Sequence, residues 1–280
     1  MIDLHAHSRF SDGSDSPERL CELAAEAGLS AFALTDHDTL GGIESGTVRA
    51  AELGVRLVPG CEVSCSWSPG TLHVLCYFVE PGEGPLQDEL VRLAADRARR
   101  NELMAERLAQ FGLPITYDEV LAEAGGKGVG RPHFAAVLVR NGAAASIQDA
   151  FDNLLGKGSP GYVSKTRVTA GEIVATATAS GAVAVLAHPL SLGVTGAALE
   201  SAVTELAEAG LAGMECIYGR YDAETRAGLE KLAAGAGLVT TGGSDYHGSY
   251  KPDLHLGTGT GDLDVPDDLL DVLESRRPGR

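Results

Sequence analysis

Over the first 80 residues, short apolar runs bounded by turn residues alternate with stretches of helical spacing. IDLHAH (2–7), AFALTD (31–36), VRLVPGCEVS (55–64) and TLHVLCYFV (71–79) read as strands. Between the first two lies PERLCELAAEAG, which opens on Pro17 and closes on Gly28, the residues that helix boundaries favour. This rhythm predicts a largely parallel sheet or barrel. It returns in AVAVLAHP (182–189), GMECIY (213–218) and LVTTGGSD (238–245), with helical spacing between them. The chain closes on DDLLDVLESRRPGR, a last helix with a frayed tail.

The middle breaks the rhythm. Residues 85–126 carry one long helical pattern and 133–156 another, with no strand between. Residues 91–168 are therefore read as a mostly helical insertion in a β/α body made of 1–90 and 169–280. No repeat of solenoid period is present.

Composition narrows the class. With 280 residues, 44% of them apolar, the chain can bury a full core. No run approaches the roughly 20 apolar residues of a membrane span, and MIDLHAHSRF has no basic region followed by an apolar one. A cytoplasmic protein with no membrane partner is expected. Five cysteines without a CxxC pair read as buried free thiols in a reducing compartment. The net charge of −17 argues against a general nucleic-acid binder, and no duplex-DNA partner is expected. That charge is uneven: residues 85–168 hold 11 Lys/Arg against 10 Asp/Glu, and the remainder 11 against 29.

Chemistry concentrates at strand ends. In DLHAH, His5 and His7 are two apart, so a strand would point both imidazoles to one side. Of eight histidines, six sit at or near the carboxyl ends of predicted strands: His5, His7, His37, His73, His188 and His247. Asp12, Glu62 and Asp245 occur in the same places. Parallel α/β folds put their sites there. Imidazole and carboxylate without thiolate suit Mn²⁺, Fe²⁺ or Zn²⁺.

The motifs DLHAHSRFSDG, LTDHD, GCEVS, LAHP and GGSDYHG, in that order, resemble those of the PHP (polymerase and histidinol phosphatase) superfamily. RPHFAAVLVRNG (131–142) and LLGKGSPGYV (154–163) are similar to the subgroup acting on nucleoside 3′,5′-bisphosphates and short RNA 5′ ends. The resemblance implies a distorted (β/α)7 barrel with three divalent ions, Mn²⁺ first, Fe²⁺ or Zn²⁺ as alternatives. His5, His7, Glu62 and Asp245 would hold the first, with Glu62 bridging to a second held also by His73 and His188. Asp12, His37 and His247 would hold the third. Where the histidinol-phosphate branch often carries His, this chain has Asp12.

Asp36 and Asp38 flank His37 as candidate catalytic groups, either orienting an imidazole or protonating a leaving alkoxide. Residues 127–167 hold six bases and two acids. Arg131, His133, Lys157, Lys165 and Arg167 are therefore candidates for a second phosphate clamp, with Lys251 and Ser244 in reserve. Tyr218 and Arg220 are placed to reach the site from a strand end, and His255 has no evident ligand partner. The expected activity is removal of the 3′-phosphate from a nucleoside 3′,5′-bisphosphate, with trimming of short RNA from its 5′ end. The alternatives are a histidinol-phosphate or sugar-phosphate phosphatase and a non-catalytic PHP module.

Overall fold

The structure, a computed structural model, describes residues 1–125, 128–164 and 168–279. Seven strands follow one another in chain order: β1 (Ile2–Asp3), β2 (Ala31–Leu34), β3 (Arg56–Cys65), β4 (Leu72–Tyr77), β5 (Val183–Leu186), β6 (Gly213–Tyr218) and β7 (Val239–Gly243). The ends of this sheet meet. Leu4 N–H donates to Gly242 O at 3.0 Å and Asp245 N–H to His5 O at 2.9 Å, which turns the sheet into a nearly closed barrel.

Helices α1 (Pro17–Glu26) and α2 (Ile43–Leu53) pack on the outer side of the first strands. α1 starts where its sequence dictates: the Ser16 side chain accepts from Arg19 N–H, and Pro17 needs no partner for its missing N–H. The strands obey a period of two. Ala31 and Ala33 of β2 belong to the inner cluster, while Phe32 and Leu34 face the outer helices. In β4, Leu75 and Tyr77 point inward and Leu72, Val74 and Cys76 outward.

The sheet is not parallel throughout. β4 runs antiparallel to both β3 and β5. The reason lies in the connection: residues 66–71 are too few for the helical crossover that a parallel pair needs. His73 thus lies near the start of its strand, not at a carboxyl end. Because β4 is reversed, that start sits at the same rim as the other strand ends, with His73 paired to Ser64 of β3. β1 is also shorter than expected. The Asp3 carboxylate accepts N–H groups from His5, Ser244 and Gly257, which binds the chain locally in place of ladder pairing.

Between β4 and β5 lie α3 (Pro85–Gln110), α4 (Tyr117–Glu123), α5 (Arg131–Arg140), α6 (Ile147–Ala150) and a π-helical turn, Phe151–Leu155. The long helical pattern breaks at Gly112, in the left-handed region, and at Pro114. At 26 residues α3 is about 39 Å long. Its first turns put Leu86, Leu90 and Leu93 into the core outside β3–β6; its last ones put Met104 and Leu108 into a separate core with Val120, Phe134 and Leu138. A boundary at 90/91 therefore falls inside one helix. The chain returns through α7 (Ala170–Ala179), α8 (Ala197–Glu208), α9 (Ala223–Gly235) and α10 (Asp268–Glu274), whose Leu270 and Leu273 enter the inner cluster.

All five cysteines are buried, and none is in a disulfide. Cys61, Cys65, Cys76 and Cys216 face the helices, and burial pushes the Cys216 thiol up to about 12. They are packing groups. No described helix is long and apolar enough to cross a membrane.

Gly243 lies at the barrel seam. A Cβ on Gly243 would lie 2.5 Å from His5 N and 2.5 Å from His5 Cβ, where no flexible side-chain end can yield. Gly243→Ala should cost about 1–3 kcal/mol by denaturant unfolding. Gly228, in the interior of α9, has nothing within 4 Å of its notional Cβ. Gly228→Ala should instead add about 0.5–1 kcal/mol.

Candidate metal centre

Six of the seven strands bring ligand groups to one rim. His5 and His7 follow β1, with Asp12 in the next turn; His37 follows β2; Glu62 lies on β3 and His73 on β4; His188 follows β5; Asp245 and His247 follow β7. Among the described residues these nine side chains form four overlapping groups able to hold a metal ion: His5, His7 and Asp245; His5, Glu62 and His188; His37, Glu62 and His73; and His7, Asp12, His37 and His247.

The separations suit ions. Ligands bonded at about 2.1 Å in tetrahedral or octahedral geometry lie about 3.0–3.4 Å from their neighbours. His5 Nε2 and His7 Nε2 are 3.1 Å apart. Glu62 Oε2 is 3.4 Å from the first and 3.2 Å from the second, and Asp245 Oδ1 is 3.5 Å and 3.3 Å from them. On the other side of the same carboxylate, Glu62 Oε1 lies 2.7 Å from His73 Nδ1 and 2.9 Å from His188 Nε2. In the third group His247 Nε2 is 3.3 Å and His37 Nε2 3.7 Å from Asp12 oxygens.

The far side of most rings is held. His247 Nδ1 is 2.8 Å from Asp245 O, and His188 Nδ1 is 2.9 Å from Ser191 Oγ, which itself donates to Thr71 O. His5 Nδ1 is 2.9 Å from Glu215 Oε1. Each contact takes the Nδ1 proton and leaves the Nε2 lone pair aimed at the group, as a ligand requires. His7 Nδ1 faces Ser11 Oγ at 3.5 Å, and Ser11 donates to Asp36. The Nδ1 of His37 is buried without a hydrogen bond, 3.1 Å from Glu62 Oε2. An orphaned buried nitrogen facing a carboxylate is relieved by a cation between them.

Electrostatics agree. Burial would raise the Glu62 carboxyl, yet His37, His73 and His5 hold it well below the usual range. Burial likewise opposes ionisation of Asp245, which Lys251, His247 and His5 outweigh, and of Asp12, which His37 and His247 outweigh. Burial pushes His37 down to about 3, keeping it neutral. His5 and His7 go the other way: burial disfavours their charge, but Glu215, Asp245 and Glu62 lift His5 well above normal, and Asp245 and Glu62 lift His7 to about 9. Protons fill a demand for positive charge that a divalent ion would meet by displacing them.

Above the rim opens a cavity of 590 Å³. Asp12, His37, His73 and His247 face it, and Arg97, Arg100, Arg131, Arg220 and Lys251 line its walls. Lys251 Nζ is 2.6 Å from Asp245 Oδ2, which also accepts from Tyr218 Oη at 2.7 Å. Arg220 pairs with Asp253, and Arg131 stacks its guanidinium over Phe151 at 5.6 Å.

Several expected contacts lie elsewhere. Asp36 does not line the cavity; it accepts from Ser8 N, Ser8 Oγ and Ser11 Oγ, and burial, against these bonds, raises it to about 6. Asp38 is also outside the cavity lining and holds Arg97 through both Nε, at 3.2 Å, and Nη2. Ser244 is fully buried, its N–H bound to Asp3, so it is closed to a substrate. His133 is buried, its Nδ1 accepting from Gly130 N–H, and Lys157 is exposed away from the cavity. Lys127, Lys165 and Arg167 lie outside the described residues. His255 closes a turn with Gly259. The sequence reading missed Arg97, Arg100 and Glu215. The first two sit in a charged helical pattern that looks like a solvated face; Glu215 was signalled only by an acid inside an otherwise apolar strand.

Residues 3–156 match the PHP domain family. The chain belongs to it. It is 32% identical over 247 residues to the 3′,5′-nucleoside bisphosphate phosphatase of Chromobacterium violaceum, covering 88% of this chain and 87% of that one. It is 31% identical over 245 residues to the 5′-3′ exoribonuclease of Haemophilus influenzae, with 88% and 89% covered. A solved Bifidobacterium adolescentis structure assigned to the metal-dependent phosphoesterases superposes with a TM-score of 0.87 at 32% identity, over 99% of this chain and 96% of that one. The PHP motifs thus correspond in this fold to one converging set of nitrogen and oxygen donors.

Chelation should therefore lower the unfolding temperature of the PHP chain. Each ion present at 100 times its Kd contributes about 2.7 kcal/mol. Glu62→Gln should lower the bound metal measured by elemental analysis, because its carboxylate faces more than one group. A metal content and unfolding midpoint indifferent to chelator would overturn the assignment.

Proposed function

We propose that this PHP chain is a metal-dependent phosphomonoesterase that removes the 3′-phosphate of nucleoside 3′,5′-bisphosphates, with 5′-end trimming of short RNA as a related activity. One observation carries the reading: a single cavity has the nitrogen–carboxylate cluster on its floor and Arg97, Arg100 and Arg131 on its walls. A substrate with two phosphates separated by a ribose meets positive charge at both. Histidinol phosphate, cationic at its far end, would meet the wrong sign there. A non-catalytic PHP module would be expected to have lost ligands, and all nine expected ones lie within the four groups. The names of the Chromobacterium and Haemophilus relatives support the same substrate class.

Three divalent ions, Mn²⁺ by preference, would be held by His5, His7, Glu62 and Asp245; by Glu62, His73 and His188; and by Asp12, His37 and His247. When bound, such ions activate water as the nucleophile and neutralise the phosphoryl oxygens as charge moves to the leaving group. The chain's own groups prepare that event. Glu62 spans two subsites and fixes their spacing. Asp36 secures His7 through Ser11, and Asp38 steadies Arg97 at the cavity wall, so both are read as orienting residues. Arg131 offers a planar fork for the remote phosphate.

Activity should vanish with chelator and return with Mn²⁺, and Glu62→Gln should lower turnover by about 100-fold or more. Arg131→Ala should cost a bisphosphate about 2–4 kcal/mol, roughly 30- to 1,000-fold in kcat/KM, and a monophosphate far less. An equal loss on both would make Arg131 structural. Side-by-side kinetics should favour adenosine 3′,5′-bisphosphate over histidinol phosphate by about 100-fold, or 2.7 kcal/mol, with AMP carrying its phosphate at the 5′ position as product. Preference for histidinol phosphate, or 3′-AMP as product, refutes the reading.

A further inference from the structure

Inside the barrel, β6 contributes a carboxylate that belongs to none of the four ligand groups and yet touches two of their members. Glu215 is fully buried. Its Oε1 is 2.9 Å from His5 Nδ1, and its Oε2 accepts the backbone N–H of His188 at 2.7 Å. His5 and His188 come from strands β1 and β5, and their rings lie nearly parallel, 5.7 Å between centroids. His188 has φ of +27°, a conformation that L residues adopt only when their surroundings impose it. The hydrogen bond from its N–H to Glu215 is one such constraint.

We propose that Glu215 is a positioning residue shared by two metal subsites: it sets the tautomer of His5 for the first and the backbone turn of His188 for the second. The inference rests on reading the nine donors as a metal centre. Each of its two oxygens does a separate task. Oε1 takes the Nδ1 proton of His5 and leaves Nε2 bare toward His7, Glu62 and Asp245. Oε2 anchors the residue whose Nε2 points at Glu62 Oε1, 2.9 Å away. An amide cannot do both, since two N–H groups confront it and it has only one oxygen. If its NH₂ faced His5, the ring would have to carry its proton on Nε2, the ligand atom. If the NH₂ faced His188, the turn would lose its anchor. Neither oxygen touches Asp12, His37 or His247, so the third subsite should be indifferent.

The test is a Mn²⁺ titration of metal-stripped protein, with bound metal counted by elemental analysis and the unfolding midpoint of each metal-free variant recorded. Wild type should bind three ions. Glu215→Ala should weaken two of them by about 10- to 100-fold and spare the third. Ser191→Ala, which removes the Nδ1 partner of His188 alone, should weaken one. Unchanged affinities in Glu215→Ala, loss of one ion only, or equal weakening of all three with a lowered midpoint would overturn the proposal. Should the space left by Ala prevent folding, the near-isosteric Glu215→Gln decides: it should weaken one or both of the same two ions, and three wild-type affinities would refute the idea. Wild-type protein that binds no Mn²⁺ would remove the metal-centre reading itself, a different failure.

Discussion

A single buried carboxylate facing five imidazoles governs this molecule. Glu62 has His73 and His188 within 2.9 Å of one oxygen and His5, His7 and His37 within 3.4 Å of the other. Such a cluster is costly to bury unless its charges and lone pairs are matched. The barrel meets that requirement by geometry. It brings donors from six strands to a common rim while the apolar ends of the same strands fill the interior below them. The two halves of each inner face do different work: Val58, Leu75, Val183, Val185 and Val239 pack, and the rim residues beyond them converge.

That convergence stores strain at the candidate site. Of the four non-glycine residues with positive φ among the described residues, Asp38, His188 and Asp245 belong to the candidate site or touch it. Such backbones cost on the order of 1–3 kcal/mol each. Each is held by hydrogen bonds to its neighbours: Asp38 N–H to Glu62 O, His188 N–H to Glu215, Asp245 N–H to His5 O. One of these bonds, from Asp245 to His5, also closes the barrel seam. At that seam a Cβ on Gly243 would press on His5 itself, so fold and candidate site share one close contact.

Much of this was legible in the sequence, for physical reasons. A period of two put His5 and His7 together without any knowledge of the fold, and the scarcity of histidine made their clustering at strand ends informative. The direction of β4 was not legible, because alternation is the same for either direction; only the brevity of residues 66–71 spoke against a parallel pair. Glu215 was hidden by its apolar neighbours Met214, Cys216 and Ile217, although the inner-face pattern would have exposed it had the strand been read in register. Arg97 and Arg100 escaped notice because Arg92, Arg97, Arg99 and Arg100 share a helical stretch with acids, the signature of a solvated surface. The long α3 changes its surroundings along its length, from barrel core to cavity wall to the core of the later helices, and no local pattern announces the change.

The net charge of −17 sharpens the importance of that helix. An acidic body repels a substrate with several negative charges, but at physiological ionic strength such repulsion fades over about 8 Å. What an anion meets at the mouth is then decided locally, by Arg97, Arg100, Arg131, Arg220 and Lys251 against Asp12 and Asp253. Three of these cations already pair with carboxylates, Arg97 with Asp38, Lys251 with Asp245 and Arg220 with Asp253. Those pairs fix their positions and mute their charge. Arg131 stacks its guanidinium on the ring of Phe151, which orients the fork. It stands on α5, outside the barrel. The candidate metal cluster comes from the barrel, Arg97, Arg100 and Arg131 of the wall come from the helices between β4 and β5, and α3 is packed into both cores.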